Sequence, residues 1–320
     1  LLRIEIGILD MLGFIKGGAM KSRKIAFAFL GMLLLIPTAC SGDVLLAQLP
    51  TTVPGETPVA SPTFASIAAA ASPSAPSQDE LTITVVYDNY LRDERLTAAW
   101  GFAAWVEHAG RKVLFDTGGD GVILMQNMLD LGINPRQAEV LVLSHEHGDH
   151  IGGVEGLLRF GARPVVYVPP SFSRSFKAQI AETVELVEVQ PGMQVSPNMI
   201  STGELSAGGG LTEQGLVIQT AHGLIVITGC AHPGVVRMVQ KATDLLGGPV
   251  LLVMGGFHLG QASSAQVASI LESFRELDVR NVSPSHCTGD MAISMFADAY
   301  GSHYWPGGVG LVLSLQDLAR

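Results

Sequence analysis

From residue 80 onward the sequence predicts a four-layered αβ/βα sandwich, an α/β fold with two central sheets and helices outside. Three observations predict it. Apolar residues make up 48% of the chain and charged residues 15%, enough for a sizeable core. Strand-like and helix-like segments alternate, once in each half of this region. In both halves the strands end on Gly, His, Asp or Cys, so loops from two β-rich halves should meet along one edge.

The elements follow in order. "LTITVVY" (81–87) is rich in β-branched residues and reads as a strand. "GFAAWVEHAGRKVLFDTGG" is a hairpin turning at His108–Arg111 and ending on Asp116. "GVILMQNMLDLGI" has apolar residues at helical spacing and breaks near Pro135. "AEVLVLSH" is a buried strand, "GGVEGLLRF" starts a helix, and "RPVVYVPP" is another strand. "GLVIQTAHGLIVITGCAH" gives two strands around a turn at Ala221–Gly223. "PGVVRMVQKATDLLG" is a helix with Pro233 suited to its first turn. "PVLLVMGGFH" is a strand, "SSAQVASILESFRELDV" an amphipathic helix, and "NVSPSHCTG" a strand with a polar end. A helix over about 289–299 and a closing strand, "GVGLVLSL", complete the domain. The stretches 88–100, 170–178 and 190–212 read as loops that would shape a pocket.

The first 79 residues have another character. From Met20 the chain reads "MKSRKIAFAFLGMLLLIPTACSGD": a basic start at Lys21, Arg23 and Lys24, an apolar run over 25–36, then small residues before Cys40. This is the layout of an export signal, and its end resembles a bacterial lipoprotein processing site with Cys40 as the lipidated residue. Residues 1–19 then read as sequence upstream of a true start at Met20, and 20–40 as the signal. Residues 41–79 hold six prolines among Ala, Ser and Thr and carry no Lys or Arg, so they read as a disordered tether. The expected location is outside the cytoplasm, held on a membrane through Cys40. A formal net charge of −10 argues against nucleic acid as a partner and leaves a small-molecule substrate.

Of nine histidines, three fall in "LVLSHEHGDHIGG": His145, His147 and His150, with Asp149 between them. On extended backbone His145 and His147 point to the same side. Imidazole and carboxylate together favour Zn²⁺ or another first-row divalent cation, with Mn²⁺ and Fe as alternatives. Further ligands must come from elsewhere. The candidates end predicted strands: Cys230 and His232 in "TGCAHPG", His258 in "GGFHLG", His286 and Cys287 in "PSHCTG". Cys230 and Cys287 either pair as a disulfide or lie as free thiols beside the metal site. His108, His222 and His303 read as structural or surface residues.

"SHEHGDHIGG" resembles the HxHxDH motif of the metallo-β-lactamase superfamily, and "FDTGG" its Asp-bearing turn, here Asp116. "LSHEHGDHIGG", "TGCAHPG", "GGFHLG" and "HCTG", in this order, resemble a subfamily of metal-dependent hydrolases that includes dihydropterin ribofuranosylaminobenzene phosphate synthase-like proteins. The resemblance covers roughly 81–315. It implies the metallo-β-lactamase fold and a binuclear site, with His145, His147 and His232 on one metal and Asp149, His150 and His286 on the other. Asp116 would orient a ligand histidine. One departure is plain. The superfamily usually supplies a further histidine after the motif and then a bridging "GD" aspartate. Here 151–221 contain no histidine and the "GD" reads Gly229–Cys230. Either Cys230 or His232 takes over that region, and the bridge would fall to hydroxide without a protein carboxylate.

The implied activity is hydrolysis of a phosphoester, ester or lactone by a metal-bound hydroxide, since a metal lowers the pKa of water from ~15.7 toward ~7. Asp149 and His258 are the expected catalytic residues, His258 as proton donor or oxyanion contact. Two other classes compete: a non-catalytic metal- or ligand-binding lipoprotein, and an oxidoreductase. Diiron oxidoreductases of this superfamily carry a carboxylate where this chain has His147 and usually add a flavin domain, which argues against that class. The "GCAH" departure argues against a β-lactamase, and an exported, tethered enzyme fits poorly with a cytoplasmic pterin pathway.

Overall fold

The structure is a computed structural model that describes residues 80–320. The expectations for 1–79, including lipidation at Cys40 and the tether, lie outside the described residues. Among those described, no helix is long and apolar enough to cross a membrane.

In chain order the strands are β1 (Leu81–Asp88), β2 (Phe102–His108), β3 (Arg111–Phe115), β4 (Val140–Val142), β5 (Val165–Val168), β6 (Leu186–Glu188), β7 (Gln194–Ser196), β8 (Met199–Ser201), β9 (Leu205–Gly208), β10 (Leu211–Glu213), β11 (Leu216–Thr220), β12 (Gly223–Thr228), β13 (Val250–Gly256), β14 (Val279–Ser285) and β15 (Val312–Ser314). The helices are α1 (Gly121–Asp130), α2 (Gly148–Ile151), α3 (Val154–Phe160), α4 (Arg174–Ala181), α5 (Val235–Leu246), α6 (Ser264–Glu276), α7 (Asp290–Tyr300) and α8 (Leu315–Leu318).

One large sheet has seven strands in the order β15-β1-β2-β3-β4-β5-β6, the other large sheet six in the order β14-β13-β12-β11-β8-β7, and β9 and β10 pair as a separate two-stranded ribbon. Strands β3 to β6 run parallel, as do β12, β13 and β14. Parallel strands put all their C-terminal ends on one edge, and each sheet contributes such a set.

Side-chain alternation divides the apolar residues into three layers. Ile83, Phe102, Phe115 and Val142 of the first sheet meet Ile218, Ile225, Ile227 and Met254 of the second in the central layer. The outer face of the first sheet, with Trp105, Leu114 and Leu141, packs on Leu124, Met128 and Leu157 of α1 and α3. The outer face of the second, with Val226, Val253 and Val282, packs on α5, α6 and α7. Helix α5 shows why: Val235, Met238, Val239 and Ala242 are buried, one stripe at helical period. Three apolar layers between four layers of backbone is the expected αβ/βα sandwich.

Several local expectations change. Helix α5 starts at Val235, so Pro233 lies before the helix; Gly234, at φ 99°, is the cap that turns the chain into it. The stretch 190–212 is not a bare loop but carries β7, β8 and β9 and the start of β10, and 170–178 leads into α4. The closing strand is only Val312–Ser314, followed by α8.

Candidate metal centre

Five strands end at one place. β3 delivers Asp116, β4 leads to His145, β12 leads to Cys230 and His232, β13 to His258, and β14 to His286 and Cys287. Gly229 lets the two sheets meet there. A Cβ on it would lie 2.2 Å from Ser144 Oγ and 2.9 Å from Asp116 Oδ2, both from the first sheet. Any side chain at 229 would push the end of β12 away from the His145 segment.

Two groups of ligand atoms result, and they share one residue. Asp149, His150, Cys230 and His286 offer one set with every ligand atom within 4.8 Å of the others. His145, Cys230 and His232 form the second. His147 joins the second through its Nδ1, which lies 3.1 Å from His145 Nε2, and its ring centroid is 4.9 Å from that of His232. The Cys230 thiol reaches His150 Nε2 at 3.2 Å. Of the two residues left open for the missing histidine, His232 stands with His145 and His147, and Cys230 stands between the groups. His258 belongs to neither group; it is exposed, its ring 4.4 Å from that of His232, and it forms a third cluster with Cys230 and Cys287. Cys230 and Cys287 are free thiols.

The imidazoles are aimed. Four of the five histidines in the two groups are held through Nδ1. His145 Nδ1 meets Ser144 Oγ at 2.8 Å, His150 Nδ1 meets Asp116 Oδ2 at 2.8 Å, His232 Nδ1 meets Glu213 Oε2 at 2.9 Å and His286 Nδ1 meets Asn89 Oδ1 at 2.9 Å. Holding Nδ1 fixes the ring and leaves Nε2 facing inward, which is how ligand histidines are oriented. Asp116 does more than hold His150: it also accepts from the Ser144 backbone N–H and hydroxyl, both at 2.7 Å.

The residues present fit divalent cations on an observation independent of any motif. His286 Nε2 is buried and has no hydrogen-bond partner, yet lies 3.4 Å from Asp149 Oδ2. An orphaned, buried imidazole nitrogen beside a carboxylate is costly unless something binds both. The electrostatics agree. Burial pulls the pKa of His145 down to about 3 and that of His150 to about 4, so both rings are neutral and keep a lone pair at neutral pH. Burial opposes ionisation of Asp149, but His286 and His150 hold it well below the usual carboxylate range. Burial pushes Asp116 up to about 7, against the pull of His145 and Ser144. The hydrogen bond between the two thiols, with burial, raises the pKa of Cys230; the same hydrogen bond, with that to His258, lowers the pKa of Cys287 against the effect of burial. A metal that takes the Cys230 sulfur would therefore displace a proton.

Four residues at the site carry no sequence signal strong enough to name in advance. Glu213 is fully buried, and one carboxylate accepts from the N–H groups of Cys230 at 2.9 Å, Ala231 at 2.7 Å and His232 at 2.9 Å, besides His232 Nδ1. Ala231 at φ 59° turns the chain so that three successive N–H groups converge. Burial would raise the pKa of Glu213, but the His232 bond and nearby His145 hold it at about 2. Next to it, Gln214 ties this segment to the first sheet, donating to Leu143 O at 2.8 Å while its N–H reaches Ser144 O at 2.9 Å. Asn89 sits in the stretch expected as a pocket loop. Trp100, 59% exposed, lays its ring 4.8 Å from that of His286 at the rim.

The comparisons with known proteins agree with this geometry. Residues 101–286 match the family model described as "Metallo-beta-lactamase superfamily". The chain is 27% identical over 234 residues to 7,8-dihydropterin-6-methyl-4-(β-D-ribofuranosyl)-aminobenzene-5'-phosphate synthase of Methanocaldococcus jannaschii, covering 59% of this chain and 80% of that protein. It is 35% identical over 91 residues to a ribonuclease Z of Aeropyrum pernix, 27% of each chain. Among solved structures, one described as a metal-dependent hydrolase of the β-lactamase superfamily superposes with a TM-score of 0.63 at 26% identity, covering 73% of this chain and 98% of the other. With its two sheets, its motif at the end of β4 and a family match over more than half its length, the chain belongs to the metallo-β-lactamase superfamily.

Proposed function

We propose that the chain is a metal-dependent hydrolase that holds two divalent cations, zinc first, and cleaves a phosphoester, ester or lactone. The observation that carries this is the sharing of Cys230 by two groups of ligand atoms. Imidazole, carboxylate and thiolate donors together suit zinc better than the harder magnesium or calcium. When bound, such cations supply the Lewis acidity that makes water nucleophilic near neutral pH and steadies negative charge on the cleaved bond. The chain's own residues set the geometry. Ser144, Asp116, Glu213 and Asn89 fix four rings through Nδ1, Asp149 presents a carboxylate held in its ionised form, and exposed His258 stands at the rim where its imidazole could pass a proton to a leaving group. The partial match to a ribonuclease, whose bond is a phosphodiester, puts phosphoesters first among the substrates to try.

The same reading sends the enzyme out of the cytoplasm, tethered by lipid at Cys40; the basic start, apolar run and small residues before that cysteine support it. Replacing Cys40 with Ala should abolish incorporation of a labelled fatty acid into the protein.

The test of the activity is a panel of phosphomonoesters, phosphodiesters, carboxylic esters, lactones and lactams with the zinc- or manganese-loaded full chain, metal content being measured on the same sample. Turnover of at least one class, absent in His145→Ala, is expected. Full metal loading with no turnover on any class would instead favour a non-catalytic metal-binding protein.

A further inference from the structure

Cys287 is not a member of either ligand group around His145 and His150, yet its thiol points at the one residue the two groups share. Strands β12 and β14, which lead to Cys230 and Cys287, are not neighbours; β13 runs between them. The thiols meet across the end of β13 because it ends in Gly256. A Cβ there would lie 2.8 Å from Cys287 Sγ and 3.2 Å from Cys230 Cα, filling the gap. As it is, the two sulfurs lie within 4.8 Å of one another and Cys287 Sγ is 3.7 Å from Cys230 O. A disulfide needs an S–S distance of ~2.05 Å, so closure asks the sulfurs to move together by less than about 3 Å.

We propose that Cys230 and Cys287 are a thiol-oxidation site whose disulfide excludes the metals, so that small-molecule disulfides of the glutathione class set the metal occupancy of this chain. The thiolate sulfur of Cys230 carries several lone pairs and can serve both groups. As a thiolate it is a charged ligand to both groups; bonded to Cys287 it is a neutral disulfide sulfur and a poor ligand. Cys287 is also the next residue after His286, so drawing it toward Cys230 displaces a second ligand of the same group.

The chemistry balances. One cysteine sulfur attacks the oxidant R–S–S–R, breaking its S–S bond, forming a mixed disulfide and releasing one R–SH. The second cysteine sulfur attacks the mixed disulfide, forming the Cys230–Cys287 bond and releasing the second R–SH. Two cysteine protons leave with the two thiol products. Two electrons pass from the cysteine pair to the oxidant.

The coupling to metal rests on the metal reading above, whereas the disulfide does not, and the experiment separates them. The full chain, metal-stripped or zinc-loaded, is treated with oxidised glutathione. Peptide mapping then looks for a 230–287 linked peptide, and metal content is measured alongside. The stripped chain should give the linked peptide without a persistent glutathione adduct. Bound zinc should slow its formation at least tenfold, and each chain that becomes linked should lose its zinc. Cys287→Ser should keep wild-type zinc content before oxidation and retain that zinc under the same treatment. No linked peptide from the stripped chain, or only single-cysteine adducts, would overturn the oxidation site. A linked peptide formed with zinc content unchanged would overturn the coupling while leaving the disulfide standing.

Discussion

Glu213→Gln tests most sharply how the centre is held together. The substitution keeps size and shape but turns one carboxylate oxygen into an NH₂ donor. In the native site Oε1 accepts from Cys230 N–H and Ala231 N–H, and Oε2 from His232 N–H and Nδ1. Whichever way the amide turns, its NH₂ faces two donors, and two buried donors lose their acceptor. Each such loss costs about 1–3 kcal/mol, so the variant should be destabilised by roughly 2–6 kcal/mol. Against a typical total of about 5–15 kcal/mol that is a large fraction, yet a folded population should survive. Because Glu213 also fixes the His232 ring, zinc affinity should fall by about 10–100-fold. Urea unfolding of the stripped protein gives the first quantity; competition with a chromophoric zinc chelator gives the second. Unfolding within about 0.5 kcal/mol of wild type together with unchanged zinc affinity would mean that Glu213 does not hold the 230–232 segment, since buried donors cannot lose a carboxylate at no cost.

Other expectations follow from the same geometry. Asp149→Ala should abolish hydrolysis and metal binding by one group while leaving a single cooperative unfolding transition; wild-type turnover by the purified variant would remove Asp149 from the mechanism. Gly229→Ala forces a Cβ to within 2.2 Å of Ser144 Oγ, so it should cost about 1–3 kcal/mol, read as a lowered Tm at about 2–4 °C per kcal/mol. Glu213 ionises at about 2 in the folded protein against an ordinary value of 4.5, a depressed folded pKa. Its contribution, roughly 3 kcal/mol, is therefore present above pH 4.5 and lost as pH falls toward 2, and Glu213→Gln should flatten that part of the stability–pH curve for the stripped protein.

Much of this was legible in the sequence, and the physical reason is periodicity and position. β-branched runs and the helical stripe of α5 marked the layers because burial on one face imposes a repeat. His145, His147, Asp149 and His150 stood out because one strand end supplies four donors within six positions. His232, His258 and His286 could be found because strand ends are where such sandwiches place their chemistry. What stayed hidden has no repeat. Strands β7, β8 and β10 are three residues long, too short to show alternation. Glu213, Ser144 and Asn89 act through hydrogen bonds that only the folded chain brings together, and an acid in "LTEQG" looks like any solvated turn residue until its four donors are in view. The helix start at Val235 differs from expectation because Gly234 supplies the positive φ that Pro233 cannot.

In the proposed centre Cys230 is the ligand shared by two cations. X-ray absorption at the zinc edge on the loaded full chain measures it directly. A shared thiolate predicts a sulfur scatterer at ~2.3 Å beside nitrogen and oxygen at ~2.0–2.2 Å, with the sulfur shell lost in Cys230→Ser and kept in Cys287→Ser. A wild-type spectrum with nitrogen and oxygen neighbours alone, at two zinc ions per chain, would contradict it.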